Sequence, residues 1–279
     1  MTESDAPVVR VSALDKQFDA GGKAVTTALS GIDLTIGRGE FVSLIGPSGC
    51  GKSTLLRLIG DLTAPTAGNV EVNGKPAHAA RMGREYGMVF QAPVLFEWRT
   101  VEENVKLPLE LLSMDRSERD ARAREMLDLV ELGDFARHHP YQLSGGMQQR
   151  VAIARALALQ PAILLMDEPF GALDEMTRER MNSEVLSIWA RTGISVVFVT
   201  HSIPEAVFLS SRVAVMSARP GRITRVIDVE LPRPRGLSTL ESPAYFSLIT
   251  EVREALRGGG RSESDLASAE RTAAEGLIS

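Results

Sequence analysis

The amino-acid sequence predicts a mixed α/β fold with a parallel-sheet core, an N-terminal β-rich region and a helical insert. Three patterns support this prediction. Residues 8–45 are rich in strand-like segments, strands and helices alternate at both ends of the chain, and residues 92–160 are mostly helical. Such alternation is typical of a sheet whose strands are joined by helices. The sequence shows no internal repeat.

Strand patterns occur in both halves of the chain. VVRVSAL, ALSGIDLTI and FVSLIG are apolar or alternate apolar and polar residues, and NVEVNGK predicts a strand that ends in an Asn-Gly turn. AILLMD and ISVVFVT are apolar runs, as expected for strands buried on both faces of a parallel sheet. RVAVMSA and RITRVIDVEL complete the β pattern.

Helical patterns lie between these strands. Residues 101–132 carry apolar side chains at nearly helical spacing with charges opposite, which predicts helical structure. Residues 144–160 predict a second helix that Pro161 stops. EMTRERMNSEVLSIWART predicts a third, ended by Gly193.

The predicted domain organisation follows from these elements. We expect one domain over residues 1–235, with a helical subdomain inserted at about 92–160, and LPRPR closing the compact part. Residues 236–279 are expected to form a C-terminal helix and a loosely ordered tail, since the last stretch is rich in Gly, Ser and charges.

Composition narrows the function. The 279 residues carry a net charge of −5, which argues against a nucleic-acid partner, because such surfaces usually need a basic excess. Cys50 is the single cysteine, so no disulfide forms within the chain and the composition fits a reducing compartment. No stretch approaches the roughly 20 apolar residues of a membrane helix. A role at a membrane would therefore be exerted from its surface.

A glycine-rich loop is the strongest single motif. GPSGCGKST, residues 46–54, lies between a strand pattern and a helix pattern and matches G-x-x-x-x-G-K-[ST]. Glycines let several backbone N–H groups point into one concavity, Lys52 adds a positive charge, and the Ser53 hydroxyl suits Mg²⁺, which takes oxygen ligands. A chance glycine turn is the alternative. We assign nucleotide binding to the whole loop: Gly46, Pro47, Ser48, Gly49, Cys50, Gly51, Lys52, Ser53 and Thr54.

Ionisable residues follow two of the buried strand patterns. Asp167 and Glu168 end AILLMD, where one acid can hold Mg²⁺ and the other can orient or deprotonate a water. An ordinary solvated strand end is the alternative. His201 follows ISVVFVT. Ligands of open α/β sheets bind outside the carboxyl ends of the strands, so His201 is placed to touch a γ-phosphate.

A second phosphate-type helix start carries no lysine. In LSGGMQQR, residues 143–150, Ser144, Gly145 and Gly146 open a predicted helix. Helix N-termini favour anions, because free N–H groups and the helix dipole both point there. The motif therefore suits phosphate binding but lacks the charge of the first loop.

Taken together, the motifs resemble those of the ATPase subunits of ABC transporters. GPSGCGKST, MVFQAP, LSGGMQQR, ILLMDEP, GALD and VTHS occur in the order and spacing of that family, over roughly residues 8–235. The resemblance implies an ABC ATPase fold, which is a P-loop NTPase core with an N-terminal antiparallel β region and a helical subdomain insert. It also implies ATP and Mg²⁺ as ligands.

The resemblance also implies roles for single residues. Phe18 matches the aromatic that stacks on adenine, with a core aromatic as the alternative. Gln91 matches the glutamine that reaches Mg²⁺ and the attacking water. Asp167 matches the acid of the Mg²⁺ site, Glu168 the catalytic base and His201 the switch histidine.

The resemblance to ABC ATPase subunits also implies a dimer. Asp174 in GALD matches the acid that links two nucleotide sites. Ser144, Gly145 and Gly146 then form half of a site that one chain lends to another. In a head-to-tail dimer, each ATP would lie between the lysine loop of one chain and the LSGG turn of the other.

The branch of the family is suggested by longer stretches. DEPFGALD, THSIPEAVFLSSRVAVMSARPGRI and LPRPR resemble importer subunits of the nitrate, sulfonate and taurine type, while bicarbonate and pyrimidine-precursor importers stay open. The implied partners are membrane permease subunits and, indirectly, an extracellular solute-binding protein. The implied location is the cytoplasmic face of the inner membrane. A soluble ABC-type ATPase acting on nucleic acid or the ribosome is the less favoured alternative.

One segment departs from the importer pattern. PVLFEWRT places Glu97 where this group often has proline before the tryptophan. In the family this segment faces the permease. Phe96 and Trp98 could therefore line a permease groove, with core aromatics as the alternative.

Overall fold

The computed structural model describes residues 6–19 and 25–258, in which strands and helices alternate. In chain order the elements are β1 (Val9–Phe18), β2 (Thr26–Ile36), β3 (Phe41–Ile45), α1 (Lys52–Ile59), β4 (Ala67–Val72), β5 (Lys75–Pro76), α2 (Ala77–Met82), β6 (Tyr86–Val89), α3 (Val101–Glu110), α4 (Arg116–Leu129), α5 (Gly145–Leu157), β7 (Ile163–Asp167), α6 (Glu175–Thr192), β8 (Ser195–Thr200), α7 (Ile203–Leu209), β9 (Arg212–Met216), β10 (Ile223–Asp228), α8 (Leu237–Leu240) and α9 (Pro243–Gly258). None of the helices in these described ranges is both long and apolar enough to cross a membrane.

Two sheets organise the molecule. The N-terminal sheet is antiparallel with the order β2-β1-β4-β5, and Asn73 and Gly74 form the predicted turn between its last two strands. The central sheet has the order β10-β9-β3-β8-β7-β6. Its strands are parallel except β10, which pairs antiparallel with β9 at the edge.

The central sheet is covered on both faces. Along β8, Val196 and Phe198 pack into a cluster with the helical insert and the C-terminal helices, while Val197 and Val199 pack into a second cluster with α1 and the N-terminal sheet. Successive side chains of a strand point to opposite faces, so a strand buried on both sides must be apolar throughout. This explains the unbroken apolar runs in the sequence.

The helical insert connects β6 to β7 and contains α3, α4 and α5. The expectation of helical structure over residues 101–132 is confirmed for α3 and α4 but missed the turn at residues 111–115, in which Ser113 has a φ of 54°. The turn folds α4 back, so that Val105 of α3 and Met126 of α4 join one hydrophobic cluster. Two short helices that bury apolar side chains against each other therefore form here, instead of one long helix.

The C-terminal helix packs on the core. Tyr245, Ile249 and Val252 of α9 are buried and belong to the cluster that covers one face of the central sheet. The expectation that LPRPR closes the compact part is therefore wrong. The division at residue 235 stays a prediction, and the predicted tail at residues 259–279 lies outside the described residues.

LPRPR instead supplies an arginine clamp. The buried Arg235 guanidinium donates to five backbone carbonyl oxygens at 2.8–3.4 Å, those of Val207, Phe208, Ser210, Val229 and Leu231. Burial lowers the pKa of Arg235 to about 10, with the charge of Arg233 as a smaller cause, so the group stays cationic at neutral pH. Arg235 therefore ties the end of α7 to the segment after β10.

We expect Arg235→Ala to lower the free energy of unfolding by about 2–4 kcal/mol, because it leaves buried carbonyls without donors. Urea denaturation measures this loss. The control is Arg225→Ala. The half-exposed guanidinium of Arg225 pairs with Glu251, and its removal is expected to lower the free energy of unfolding by less than about 1 kcal/mol. Equal losses in both variants would contradict the clamp.

Candidate active site

Four neighbouring parallel strands bring predicted site residues to one edge of the central sheet. β3 leads into the loop of residues 46–54, β8 is followed by His201, β7 ends at Asp167, and Gln91 follows shortly after β6. The strand order is β3-β8-β7-β6, so these residues lie in a row at the carboxyl edge. This is the edge at which open α/β sheets bind ligands.

The glycine-rich loop needs glycine at specific points. Gly51 precedes α1 with a φ of 108°, and a Cβ there would lie 2.6 Å from Leu29 Cδ2. A Cβ on Gly46 would lie 2.8 Å from Cys50 Sγ. Glycine at these positions avoids such collisions. The loop can therefore keep the tight curvature that turns its backbone N–H groups inward.

Lys52 and Ser53 connect this loop to the neighbouring strand ends. The buried Lys52 ammonium donates to the carbonyl oxygens of Gly46 at 2.8 Å and Pro47 at 3.1 Å. The Ser53 hydroxyl donates to Asp167 Oδ1 at 2.6 Å. Two oxygen groups suited to Mg²⁺, from α1 and β7, therefore meet at one point.

A cavity of about 410 Å³ opens over the loop. This volume lies in the range of small-molecule sites. In the described part of the chain it is lined by Phe18, Thr26, Ala28, Ser48, Gly49, Gly51, Lys52, Ser53, Thr54, Glu168 and Arg219. Thr26, Ala28 and Arg219 were not predicted, since none of them belongs to a recognisable motif.

Phe18 borders this cavity from the end of β1. Its side chain is 46% exposed, so the alternative of a core aromatic is wrong. The Lys16 ammonium lies 4.8 Å from the centre of the ring. Phe18 is thus an accessible aromatic surface beside the phosphate loop, as a platform for a base requires.

Two loop residues do not present their side chains to the cavity. Pro47, Cys50 and also Gly46, which has no side chain, are absent from the described lining. The Cys50 side chain is 1% exposed and packs in the hydrophobic cluster below the loop. Burial raises the pKa of the Cys50 thiol, and the charge of Lys52 opposes this shift. The predicted nucleotide contact of Cys50 is therefore restricted to its backbone.

Glu168 follows β7 and His201 follows the adjacent strand β8, and their side chains face each other. The distance from His201 Nδ1 to Glu168 Oε2 is 3.3 Å. Glu168 has a φ of 46°, an unusual conformation for a residue other than glycine. Its backbone is held by a bond from its N–H to the Val199 carbonyl and by one from the Gly171 N–H to its own carbonyl.

Gln91 reaches the same corner. A Cβ on Gly171 would lie 3.2 Å from Gln91 Nε2 and 3.4 Å from the Glu168 carbonyl oxygen. The Gln91 amide is therefore close to the segment that follows the two acids. The structure thus pairs Glu168 with His201 and places the Gln91 amide beside Gly171, three residues after Glu168.

Glu205 is a buried acid near this corner that sequence reasoning missed. The Thr200 hydroxyl donates to the Glu205 carboxyl group and accepts from the Ser202 N–H, so Glu205 helps to hold the turn that carries His201. Burial raises the pKa of Glu205, and the Thr200 hydrogen bond opposes this shift. A motif search gives no signal for such a residue, since its position depends on the packing of α7.

The predicted half site lies at two neighbouring helix starts. Ser144 caps α5 by accepting from the Met147 N–H at 3.3 Å, and Asp174 caps α6 by accepting from the Thr177 N–H at 3.0 Å. A Cβ on Gly146 would lie 3.1 Å from Thr177 Cγ2, so the two helix starts are packed together. Ser144, Gly145, Gly146 and Asp174 are absent from the described lining of the Lys52 cavity.

The aromatic pair before α3 is partly accessible. The rings of Phe96 and Trp98 lie 4.7 Å apart. Trp98 is 73% exposed, so the alternative of a core residue is wrong for it, whereas Phe96 is half-buried. Asn104 holds the segment through bonds to the Phe96 N–H and carbonyl. Glu97 is exposed beside them.

Comparison with known proteins agrees with this geometry. A family model described as ABC transporter matches residues 29–171. The nitrate import ATP-binding protein NrtD of Synechocystis sp. is 43% identical over 263 residues, which are 92% of this chain and 98% of that protein. The taurine import ATP-binding protein TauB of Jannaschia sp. is 47% identical over 245 residues, which are 88% and 91% of the two chains.

A solved structure matches as well. A dimeric ATP-binding cassette in a post-hydrolysis state, bound to ADP and Pi, aligns with a TM-score of 0.69 and 39% identity, covering 80% of this chain and all of that chain. The present chain therefore belongs to the ABC transporter family of ATP-binding proteins. The predicted family, ABC ATPase fold and ATPase class are confirmed. The roles of the individual site residues stay predictions.

Proposed function

We propose that this chain is the ATP-hydrolysing subunit of a membrane importer and that it works as a head-to-tail dimer. The row formed by Lys52, His201, Glu168 and Gln91 along one sheet edge supports this proposal most strongly. Such a row combines a phosphate loop with groups able to position and deprotonate a water, which a module that only binds nucleotide would not need.

The residues at this edge fit MgATP. Ser53 and Asp167 supply oxygen groups 2.6 Å apart, and Gln91 follows β6, the strand next to the one that ends at Asp167. Few protein ligands are required, because Mg²⁺ usually keeps several waters and shares the phosphates of its substrate. When bound, Mg²⁺ neutralises charge on the β- and γ-phosphates.

The chain's own residues account for the remaining steps. Phe18 stacks on the base, while Lys52 and the loop amides hold the phosphates. The Glu168 carboxylate accepts a proton from the attacking water, and the neighbouring His201 orients this carboxylate and contacts the γ-phosphate. Preorganised cations and N–H groups stabilise the charge that develops at the phosphate.

The dimer completes each site. Ser144 and Gly145 are exposed at the start of α5, ready to contact the γ-phosphate held by another chain. Asp174 lies beside them and links the two sites. ATP then bridges two chains, and loss of its γ-phosphate releases them. The related cassette solved as a dimer supports this arrangement.

The transport role rests on relatives and on one surface. Relatives similar over most of their length are named as nitrate and taurine import subunits, which supports an importer of the nitrate, sulfonate or taurine class. Phe96 and Trp98 offer an aromatic contact for permease subunits at the cytoplasmic face of the membrane. An extracellular solute-binding protein would deliver the solute to the permease.

Glu168→Gln tests the hydrolytic assignment. We expect this variant to bind MgATP with unchanged affinity and to hydrolyse it at least about a hundredfold more slowly, because the amide cannot accept the proton. Calorimetry and phosphate release measure the two quantities. The exposed Glu254→Gln serves as the control and should match the wild type. Near-normal turnover in Glu168→Gln would contradict the assignment.

Trp98→Ala tests the transport assignment. We expect the purified variant to keep its ATPase activity and stability but to capture several-fold less of the candidate permease subunits. The reason is that aromatic side chains that become buried on binding dominate such interfaces. The control is Leu237→Ala, another exposed apolar residue. Permease capture that Trp98→Ala leaves unchanged would contradict the proposed contact. If the wild type captures no permease and nucleic acid stimulates its ATPase, the soluble alternative is favoured.

A further inference from the structure

The turn between β9 and β10, residues 217–222, is fixed against the N-terminal sheet. The Gly221 N–H donates to the Ala28 carbonyl at 2.9 Å, and the Gly221 carbonyl accepts from the Ser30 N–H at 3.0 Å. Within the turn, the Ser217 hydroxyl accepts from the Arg222 N–H at 3.0 Å. The turn therefore holds a defined position although most of it is exposed.

The same turn touches the backbone of the phosphate loop. A Cβ on Gly221 would lie 2.0 Å from the Cys50 carbonyl oxygen and 3.1 Å from Leu29 Cδ2. Such contacts are possible only for glycine, so Gly221 permits the close approach. The turn, β2 and the phosphate loop form one packed unit.

Arg219 projects from this unit into the nucleotide cavity. Its Nη2 donates to the Gly49 carbonyl of the phosphate loop at 3.0 Å. A guanidinium carries five N–H donors, and this bond uses one of them. Among the described residues that line the cavity, Lys52 and Arg219 are the cations and Glu168 is the carboxylate.

We propose that Arg219 is a second cationic ligand of the nucleotide phosphates. This inference rests on the proposed function, since it concerns the same ATP site. The bond to Gly49 holds the guanidinium at the phosphate end of the cavity, whereas Phe18 supplies the surface for the base. A planar guanidinium matches phosphate oxygens well, because it can donate two parallel hydrogen bonds.

Lys52 and Arg219 differ in a way that supports two roles. Lys52 is buried and its ammonium lies within the curve of the loop, close to the Gly46 and Pro47 carbonyls. Arg219 is exposed and reaches the loop from a separate part of the chain. Its contact with phosphate is therefore expected to be weaker and more sensitive to salt than a buried one.

The experiment compares Arg219→Gln with the wild type. The dissociation constant of the Mg²⁺ complex of the β,γ-imido analogue of ATP is measured by calorimetry at low and high salt, since this probe is not hydrolysed. Arg222→Gln is the matched control, because Arg222 lies on the same turn but contacts Ser30 outside the cavity. Lys52→Ala tests the phosphate loop itself, and urea denaturation without nucleotide reports on the fold.

We expect Arg219→Gln to bind the analogue about tenfold more weakly, with a shallower salt dependence and an unchanged unfolding midpoint. Arg219→Lys should recover part of the affinity, and Arg222→Gln should stay within about twofold of the wild type. Wild-type affinity in Arg219→Gln would overturn the inference. So would weaker binding with an unchanged salt dependence and a lower unfolding midpoint, because Arg219 would then only brace the loop.

The experiment separates this inference from the proposed function. If the wild type binds the analogue and Lys52→Ala weakens binding while Arg219→Gln does not, only the role of Arg219 is wrong. If the wild type fails to bind, or Lys52→Ala has no effect, the ATP site itself is wrong and the inference fails with it.

Discussion

The parallel pairing of β3, β8 and β7 is the constraint on which the rest of the site depends. Ile45 pairs with Thr200, and Val199 pairs with Asp167, so the three strands end in line. A register slip of one residue would turn the side chains of a strand to the opposite face. Since both faces are apolar, the close packing of particular side chains in the two clusters fixes the register. The core therefore fixes where the phosphate loop, the acids and the histidine meet.

The chain has two helix starts suited to phosphate, at separate places on its surface. The lysine loop and the capped start of α5 both present N–H groups suited to phosphate, yet Ser144 does not line the described cavity around Lys52. Asp174 caps a helix packed beside this second start. In the proposed dimer these two elements would be halves of one site, so that the nucleotide itself would join two copies.

Local sequence patterns made part of this site predictable. The phosphate loop and the apolar strands that end at Asp167 and before His201 are local patterns, and the structure places them as expected. Arg219 and Arg235 gave no such signal, because their contacts join segments distant in sequence. The turn that divides residues 101–132 was missed although Pro108 and Asp115 are local signals of a helix break and a helix start, because the apolar spacing on both sides of it is helical.

Mixing two inactive variants tests the shared site most directly. Lys52→Ala removes the lysine of the loop, and Ser144→Asp keeps the helix cap but places a carboxylate beside the γ-phosphate. In a mixed dimer, one site joins the intact loop of the second variant to the intact helix start of the first. A site shared between two chains predicts ATPase activity after mixing that neither protein shows alone. Activity no greater than the sum of the two separate samples would contradict it.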